Sequence, residues 1–143
     1  MTNATMKAFG FPGTLVRQFD HWAVQLRPAQ VTLGSLILVS TSGATSFGAL
    51  PAGAYAELGT IIPAIEAALG KFVQYEKINY LMLMMVDPHV HFHVLPRYEG
   101  SRSWDGVEFL DPGWPGQPDL KSARPLDLDQ QARLRQEIAD RLI

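Results

Sequence analysis

The sequence predicts an α+β protein: an antiparallel sheet packed by one long helix and a C-terminal helix. Three observations carry that reading. Apolar runs of strand length at 22–26, 35–40 and 78–86 are bounded by Pro, Gly, Ser and Asp. Between them, from Pro51 to Phe72, apolar residues recur at spacings of three and four, the stripe of an amphipathic helix. A strictly alternating segment then follows at 89–94, the period of a strand. Strands grouped around one long helix, rather than alternating with helices, give an antiparallel sheet.

Residues 1–20 mix Gly10, Pro12 and Gly13 with scattered Phe and Leu and read as an irregular arm or edge segment. Trp22 to Leu26 is a strand ended by Arg27-Pro28. Ser35 to Ser40 is a stronger one, entered through Gly34 and left through the Ser/Thr/Gly loop at 40–46. In the long helix the stripe is Tyr55, Leu58, Ile62, Ile65, Leu69 and Phe72; Pro51 suits a first-turn position and Gly70 lies near the end. Pro63 removes an amide donor and sets its ring against the carbonyl of Gly59, at a cost of about 3 kcal/mol. A kink there, or two shorter helices, is expected.

Ile78 to Val86 is so uniformly apolar that it reads as a strand covered on both faces, with Met82, Met84 and Met85 filling irregular gaps in the core. Asp87-Pro88 breaks it from the alternating segment, and a hairpin is the simplest connection. After Arg97 the chain is rich in Gly and Pro, with Trp104, Phe109 and Trp114 expected to pin the loops to the body. Asp127 stands three residues before Gln130, in capping-box spacing, ahead of Leu134, Ile138 and Leu142; this is the C-terminal helix. With no repeat and no linker in the chain, residues 1–143 read as a single domain.

A chain of 143 residues can bury about two-thirds of the surface its unfolded form exposes. Although 47% of residues are hydrophobic, no run approaches the ~20 apolar residues of a membrane span, so no membrane partner is expected. The opening Met-Thr-Asn-Ala-Thr-Met-Lys has neither the apolar core nor the cleavage site of a secretory signal. The absence of cysteine excludes disulfides, thiolate catalysis and cysteine metal sites; both features agree with a cytoplasmic location. A net charge of −2 provides no basic field for a nucleic-acid polymer, so any phosphate must be recognised locally.

The decisive segment is His89-Val90-His91-Phe92-His93-Val94-Leu95-Pro96-Arg97, which holds three of the four histidines. Alternation puts the imidazoles on one face and Val90, Phe92 and Val94 on the other, with neighbouring imidazole positions roughly 6–7 Å apart. Three readings compete. The histidines can decorate a wet strand face. They can supply two or three imidazole ligands to zinc or a similar ion, with Asp87 the one obvious carboxylate nearby. Or they can perform nucleophilic catalysis on phosphorus, since neutral imidazole, with an ordinary pKa of about 6.5, is an available nucleophile. The third reading asks for no cofactor and no metal.

The same segment resembles the His-φ-His-φ-His-φ-φ signature of the histidine triad superfamily of nucleotide hydrolases and transferases, and its trailing Leu-Pro-Arg is most similar to the fragile histidine triad branch. Gln25-Leu26-Arg27-Pro28 and Gly34-Ser35-Leu36-Ile37-Leu38-Val39 resemble that family's ribose-side strand and its Gly-His-x-Leu-Val strand. The resemblance implies a histidine triad fold and a nucleotide or dinucleoside polyphosphate-like substrate, attacked at the α-phosphate through a covalent nucleotidyl-histidine. It also implies a homodimer. His91 would be the nucleophile, His93 would bind phosphate or assist the leaving group, and His89 would orient its neighbours. Gln25 and Asn79 would contact nucleotide. Arg97, following the triad, can either neutralise phosphate charge or be a solvated surface arginine.

Two departures qualify this pattern. Relatives carry a Gly-rich, Gln-containing loop before the triad, where this chain has Leu-Met-Leu-Met-Met-Val-Asp-Pro at 81–88, and Ser35 replaces the usual histidine. A nucleotide-binding module with little or no turnover is therefore the competing class. Among the remaining residues, Arg102 reads as a solvated arginine, His21 as structural, and Asp87 as a turn residue.

Overall fold

The computed structural model describes residues 2–142; Met1 and Ile143 lie outside the described residues. Helix α1 (Ala4–Ala8) is followed by β1 (Leu15–Gln18), β2 (Trp22–Leu26), β3 (Ala29–Gln30) and β4 (Leu36–Ser40). The long helix α2 (Ala52–Val73) leads to β5 (Lys77–Leu81) and β6 (His91–Arg97). A hairpin of β7 (Ser101–Trp104) and β8 (Val107–Leu110), a short β9 (Arg124–Pro125) and helix α3 (Leu128–Arg141) complete the chain.

The main sheet is antiparallel in the order β1-β2-β4-β6-β5, so the histidine strand β6 is paired on both sides, by β4 and by β5. One face packs on the helices. Val24, Leu36, Leu38, Val90 and Val94 form that core with Ile61, Ile65, Leu69 and Val73 of α2 and Leu134 and Ile138 of α3. Fully burying each such branched side chain contributes about 1.5–3 kcal/mol. The opposite face carries Ala23, Ile37 and Val39 under Met6, with Phe9, Phe11 and Leu15 packed around them. Gly34 enters β4 at φ 97°, in the left-handed region, and a Cβ there would stand 3.2 Å from Leu69 Cδ2 and 3.3 Å from Pro96 Cγ. Only glycine fits both the turn and this approach of β4 to α2.

The expected α+β architecture, the strands at 22–26 and 36–40 and the C-terminal helix are present. The Asp127–Gln130 capping box is fully formed. Four expectations change. The arm at 1–20 is not irregular: Asn3 caps α1 by accepting from Met6 N, and β1 adds an edge strand. Helix α2 is one element of 22 residues that contains Pro63, ending at Gln74 in the left-handed conformation. The loop after Arg97 contains a hairpin turned at Asp105-Gly106, both at positive φ.

The strand expected over 78–86 stops at Leu81, the last residue in register with β6, opposite His93. Beyond it Met84 takes a positive φ and the chain leaves the sheet. Met82 and Met84 still pack against the core, but Met85 is 85% and Val86 91% exposed, so the methionine cluster is not wholly core. The physical reason is position: β5 is an edge strand, with one partner to hold its extension.

Candidate active site

Strand β6 begins at His91, so the three histidines divide between strand and loop. His91 and His93 lie on the strand face opposite the helices, with ring centroids 5.2 Å apart and inclined at 68°. Phe9, at the C-terminal end of α1, stands 5.8 Å from each ring. His89 precedes the strand, where its backbone N–H donates to Thr5 Oγ1 at 3.2 Å and its Nδ1 lies 3.0 Å from the same hydroxyl. One hydroxyl can accept from the amide and donate to the ring. Helix α1 thus fixes His89.

The His89 carbonyl in turn fixes His91. It lies 2.7 Å from His91 Nδ1, a contact in which Nδ1 carries the proton and donates it. In the neutral ring the lone pair is then on Nε2, which makes no hydrogen bond to any described residue. His91 lines a cavity of about 360 Å³ together with His93, Arg27, Phe9, Asp87 and the loop from Leu83 to Val86. An oriented imidazole with a free Nε2 lone pair beside a cavity is competent as a nucleophile or a general base.

His93 is held neutral. Burial pushes its pKa down to about 4, reinforced by the charges of Arg27 and His91. A neutral imidazole in this position offers one N–H as a hydrogen-bond donor, and its buried Nδ1 has no partner. Only two other buried side-chain polar atoms among the described residues share that condition, Gln25 Oε1 and Arg27 Nε. Gln25 and His93 are cross-strand neighbours on one sheet face, Gln25 pairing with Ile37 and Ile37 with His93, and Arg27 stands two residues after Gln25, just past the end of β2. Buried polar groups are normally satisfied, and three unmet ones along one sheet face mark this face as the place to look for a ligand.

The other sequence-derived candidates lie elsewhere. Gln25 is fully buried, and its Nε2 donates to the carbonyls of Met6 (3.0 Å) and Phe9 (3.3 Å), anchoring the arm that roofs the histidines. Asn79 and Arg97 meet each other, not the cavity. Arg97 donates from Nε and Nη2 to the two oxygens of Asp111 at 2.6 and 3.1 Å, from Nη1 to Asn79 Oδ1 at 2.8 Å, and from Nη2 to the Gly116 carbonyl at 2.9 Å. Arg97 stands four strand residues past His93, roughly 13 Å away at about 3.3 Å per residue.

Nothing in the sequence points to Thr5, Phe9 or the cavity-facing part of loop 82–88, because tertiary packing alone brings them to the histidines. Arg27 reads in the sequence as the end of a strand and as part of the Gln25-Leu26-Arg27-Pro28 segment, with no site role of its own. For a metal, no group of three His, Asp or Glu side chains among the described residues is arranged to hold an ion. The Nδ1 atoms of His89 and His91 already face a hydroxyl and a carbonyl. A second cavity, of about 370 Å³, lined by Gln30, Glu108, Phe109 and Arg124 among others, carries no imidazole.

Solved structures share this architecture. A histidine triad (HIT) protein from Sinorhizobium meliloti 1021 matches over 99% of this chain and 96% of its own, with a TM-score of 0.76 and 22% identity. A histidine triad protein from Marinobacter aquaeolei VT8 matches over 99% and 95%, with a TM-score of 0.70 and 20% identity. A hypothetical histidine triad nucleotide-binding protein from Sulfolobus tokodaii strain7 matches over 96% and 89%, with a TM-score of 0.70 and 16% identity. No protein-family model matches the sequence, and no curated protein does. The fold is that of histidine triad proteins. No helix among the described residues is long and apolar enough to cross a membrane.

Proposed function

We propose that the chain is a histidine triad nucleotide hydrolase or nucleotidyl transferase in which His91 Nε2 attacks an α-phosphorus. The observation that carries the reading is the 2.7 Å contact from His91 Nδ1 to the His89 carbonyl, which leaves Nε2 as the lone-pair nitrogen on a ring that lines the cavity. Attack forms an N–P bond and breaks the P–O bond to the leaving group, which departs with the electron pair. Water then attacks phosphorus, the N–P bond breaks, and the nucleoside monophosphate leaves with the imidazole regenerated. During attack the ring becomes positively charged, and the Nδ1–H donor to a carbonyl strengthens as it does so.

His93, neutral and buried, suits a hydrogen bond to a non-bridging phosphate oxygen better than proton donation to the leaving group. His89 acts as the positioning residue. A dinucleoside polyphosphate-like substrate, as in the fragile histidine triad branch, fits this chemistry because a departing phosphate chain needs no proton. A homodimer is part of the same reading: Leu83, Met85 and Val86 form an exposed apolar loop at the cavity rim, of the kind that partners cover.

One observation favours a second reading. The loop at 83–86 contributes Leu, Met, Met and Val to the cavity and no side-chain donor for phosphate, as expected of a binding module that turns over little. Incubation of wild type and His91→Ala with a panel of AMP-labelled substrates, including dinucleoside polyphosphates, separates the two. Label retained on wild type and absent from the variant supports catalysis. AMP binding with no adduct in either protein overturns it in favour of the module.

A further inference from the structure

Arg27 follows β2 and reaches the cavity that His91 and His93 line. Its backbone is locked: its N–H donates to the Ser35 carbonyl at 3.0 Å, and its carbonyl accepts from Gln30 Nε2 at 2.7 Å. Its side chain is held at one corner only, by Nη1 donating to the Ala29 carbonyl at 2.5 Å. Among the described residues it pairs with no carboxylate, not even with Asp87 on the same cavity. Nε is buried without a partner, and Nη2 makes no hydrogen bond to a described residue.

Those two nitrogens are not an arbitrary remainder. In a guanidinium, Nε–H and the Nη2–H beside it point the same way and form the edge that grips two oxygens of one carboxylate or phosphate group. The contact to Ala29 uses the other corner and so orients this edge without consuming it. Arg27 is also the one lysine or arginine on the cavity.

We propose that Arg27 is the phosphate-binding residue of this site, gripping two non-bridging oxygens of a bound phosphate through Nε and Nη2 beside His91 and His93. The inference rests on the nucleotide reading of the cavity and names a contact that reading lacked. It also explains how the chain manages without side-chain donors in the loop before the triad: the charge comes from the residue after β2, across the face, whose backbone is fixed. Burial lowers the pKa of the Arg27 guanidinium, the signature of a cation short of counter-charge, and an oxyanion supplies that charge. Two of the three unmet buried atoms, Arg27 Nε and His93 Nδ1, belong to residues on this one cavity.

The test uses AMP and inorganic phosphate as separate probes, each titrated by calorimetry into wild type, Arg27→Lys and Arg27→Gln, with the Arg27 Nε–H followed by nitrogen-resolved NMR. Expected are a saturable phosphate-dependent shift of the Nε–H in wild type, and at least tenfold weaker binding of both probes by Arg27→Gln. Arg27→Lys recovers part of that loss, because an ammonium keeps the charge but not the paired donors. If Arg27→Gln does not fold, Arg27→Lys decides: binding weakened threefold or more at an unchanged melting temperature supports the assignment. Binding within twofold of wild type by a folded Arg27→Gln, or by Arg27→Lys where only that variant folds, overturns it.

Labelled-AMP trapping on His91 reports the underlying reading independently. Adduct formation with binding indifferent to Arg27 refutes the arginine and keeps the nucleophile. Arginine-dependent binding without adduct keeps the arginine and refutes catalysis. Absence of binding of either probe by wild type refutes the arginine as well.

Discussion

Replacing Arg97 by methionine tests whether the arginine of the Leu-Pro-Arg segment holds the fold or the ligand. Its side chain and that of Asp111 are 4% and 0% exposed, and the guanidinium makes four hydrogen bonds, two of them to the Asp111 carboxylate. Methionine leaves Asp111 buried with one remaining contact, the Tyr98 N–H at 3.3 Å. Removing one partner of a buried ion pair costs about 3–5 kcal/mol, because the other charge is stranded away from water. At an unfolding entropy of about 2.1 cal/mol/K per residue, 143 residues give about 0.3 kcal/mol/K, so the melting temperature should fall by roughly 10–17 °C. Urea unfolding measures the same loss as a midpoint shift of roughly 1.5–2.5 M at an m-value of about 2 kcal/mol/M. The double variant Arg97→Met/Asp111→Leu, which removes the stranded charge, should regain much of the loss. The reasoning is refuted if Arg97→Met stays within about 1 kcal/mol of wild type while AMP affinity falls tenfold, for then the arginine serves the ligand.

Two further perturbations address the histidines. Thr5→Val keeps the volume of a fully buried residue but strips both hydrogen bonds from His89, so stability should drop by about 1–3 kcal/mol and AMP-adduct formation at His91 should slow with AMP affinity nearly unchanged. Denaturant unfolding and rapid-quench labelling read the two effects, and an undiminished adduct rate would show that α1 does not set the His91 ring. For His93, a folded pKa of about 4 lies below the unfolded value of 6.5, so between these values the unfolded chain binds more protons and stability must decline as pH falls from about 6.5 towards 4. The slope from this group stays below the limiting value of about 1.4 kcal/mol per pH unit, since the unfolded and folded states differ by less than one bound proton at any pH in that window. Urea midpoints across that range should flatten in His93→Gln, and an identical slope in the variant would assign the effect to other groups.

What was legible in the sequence was what local chemistry encodes. The capping box of Asp127 and Gln130 is a contact between near neighbours in the chain, so spacing alone revealed it. Alternation placed His91 and His93 on one face and Phe92 and Val94 on the other because a paired strand has no other option. Asp105-Gly106 was an equally local hairpin signal, masked by the surrounding Gly and Pro. The end of β5 was not legible, because Leu81 and Leu83 are the same residue type and only the edge position of the strand decides which one is paired. The five-residue helix α1 is too short to announce itself by periodicity; the Asn3 cap and the burial of its own Met6 against the sheet hold it. The pairing of Arg97 with Asp111 and Asn79 was not legible either, because Asp111, fourteen residues beyond Arg97, carries no sign of that contact in the sequence.

The site therefore combines two kinds of support. His91 and His93 both sit on β6, His93 paired by β4 and β5 and His91 by β4 alone, so their separation is set by the sheet. The walls around them come from Phe9 at the end of α1 and the exposed loop after β5, which lie outside the sheet ladder, and from Arg27 just past β2, whose backbone is tied to Ser35. A substitution in the walls can alter which ligand fits without disturbing the geometry of the imidazoles. The exception is Thr5, a residue of α1 behind the wall that reaches through His89 to the Nδ1 proton of His91. Changes to the arm should then affect reactivity through that one hydroxyl and ligand choice through Phe9, two effects that Thr5→Val and Phe9→Leu would separate.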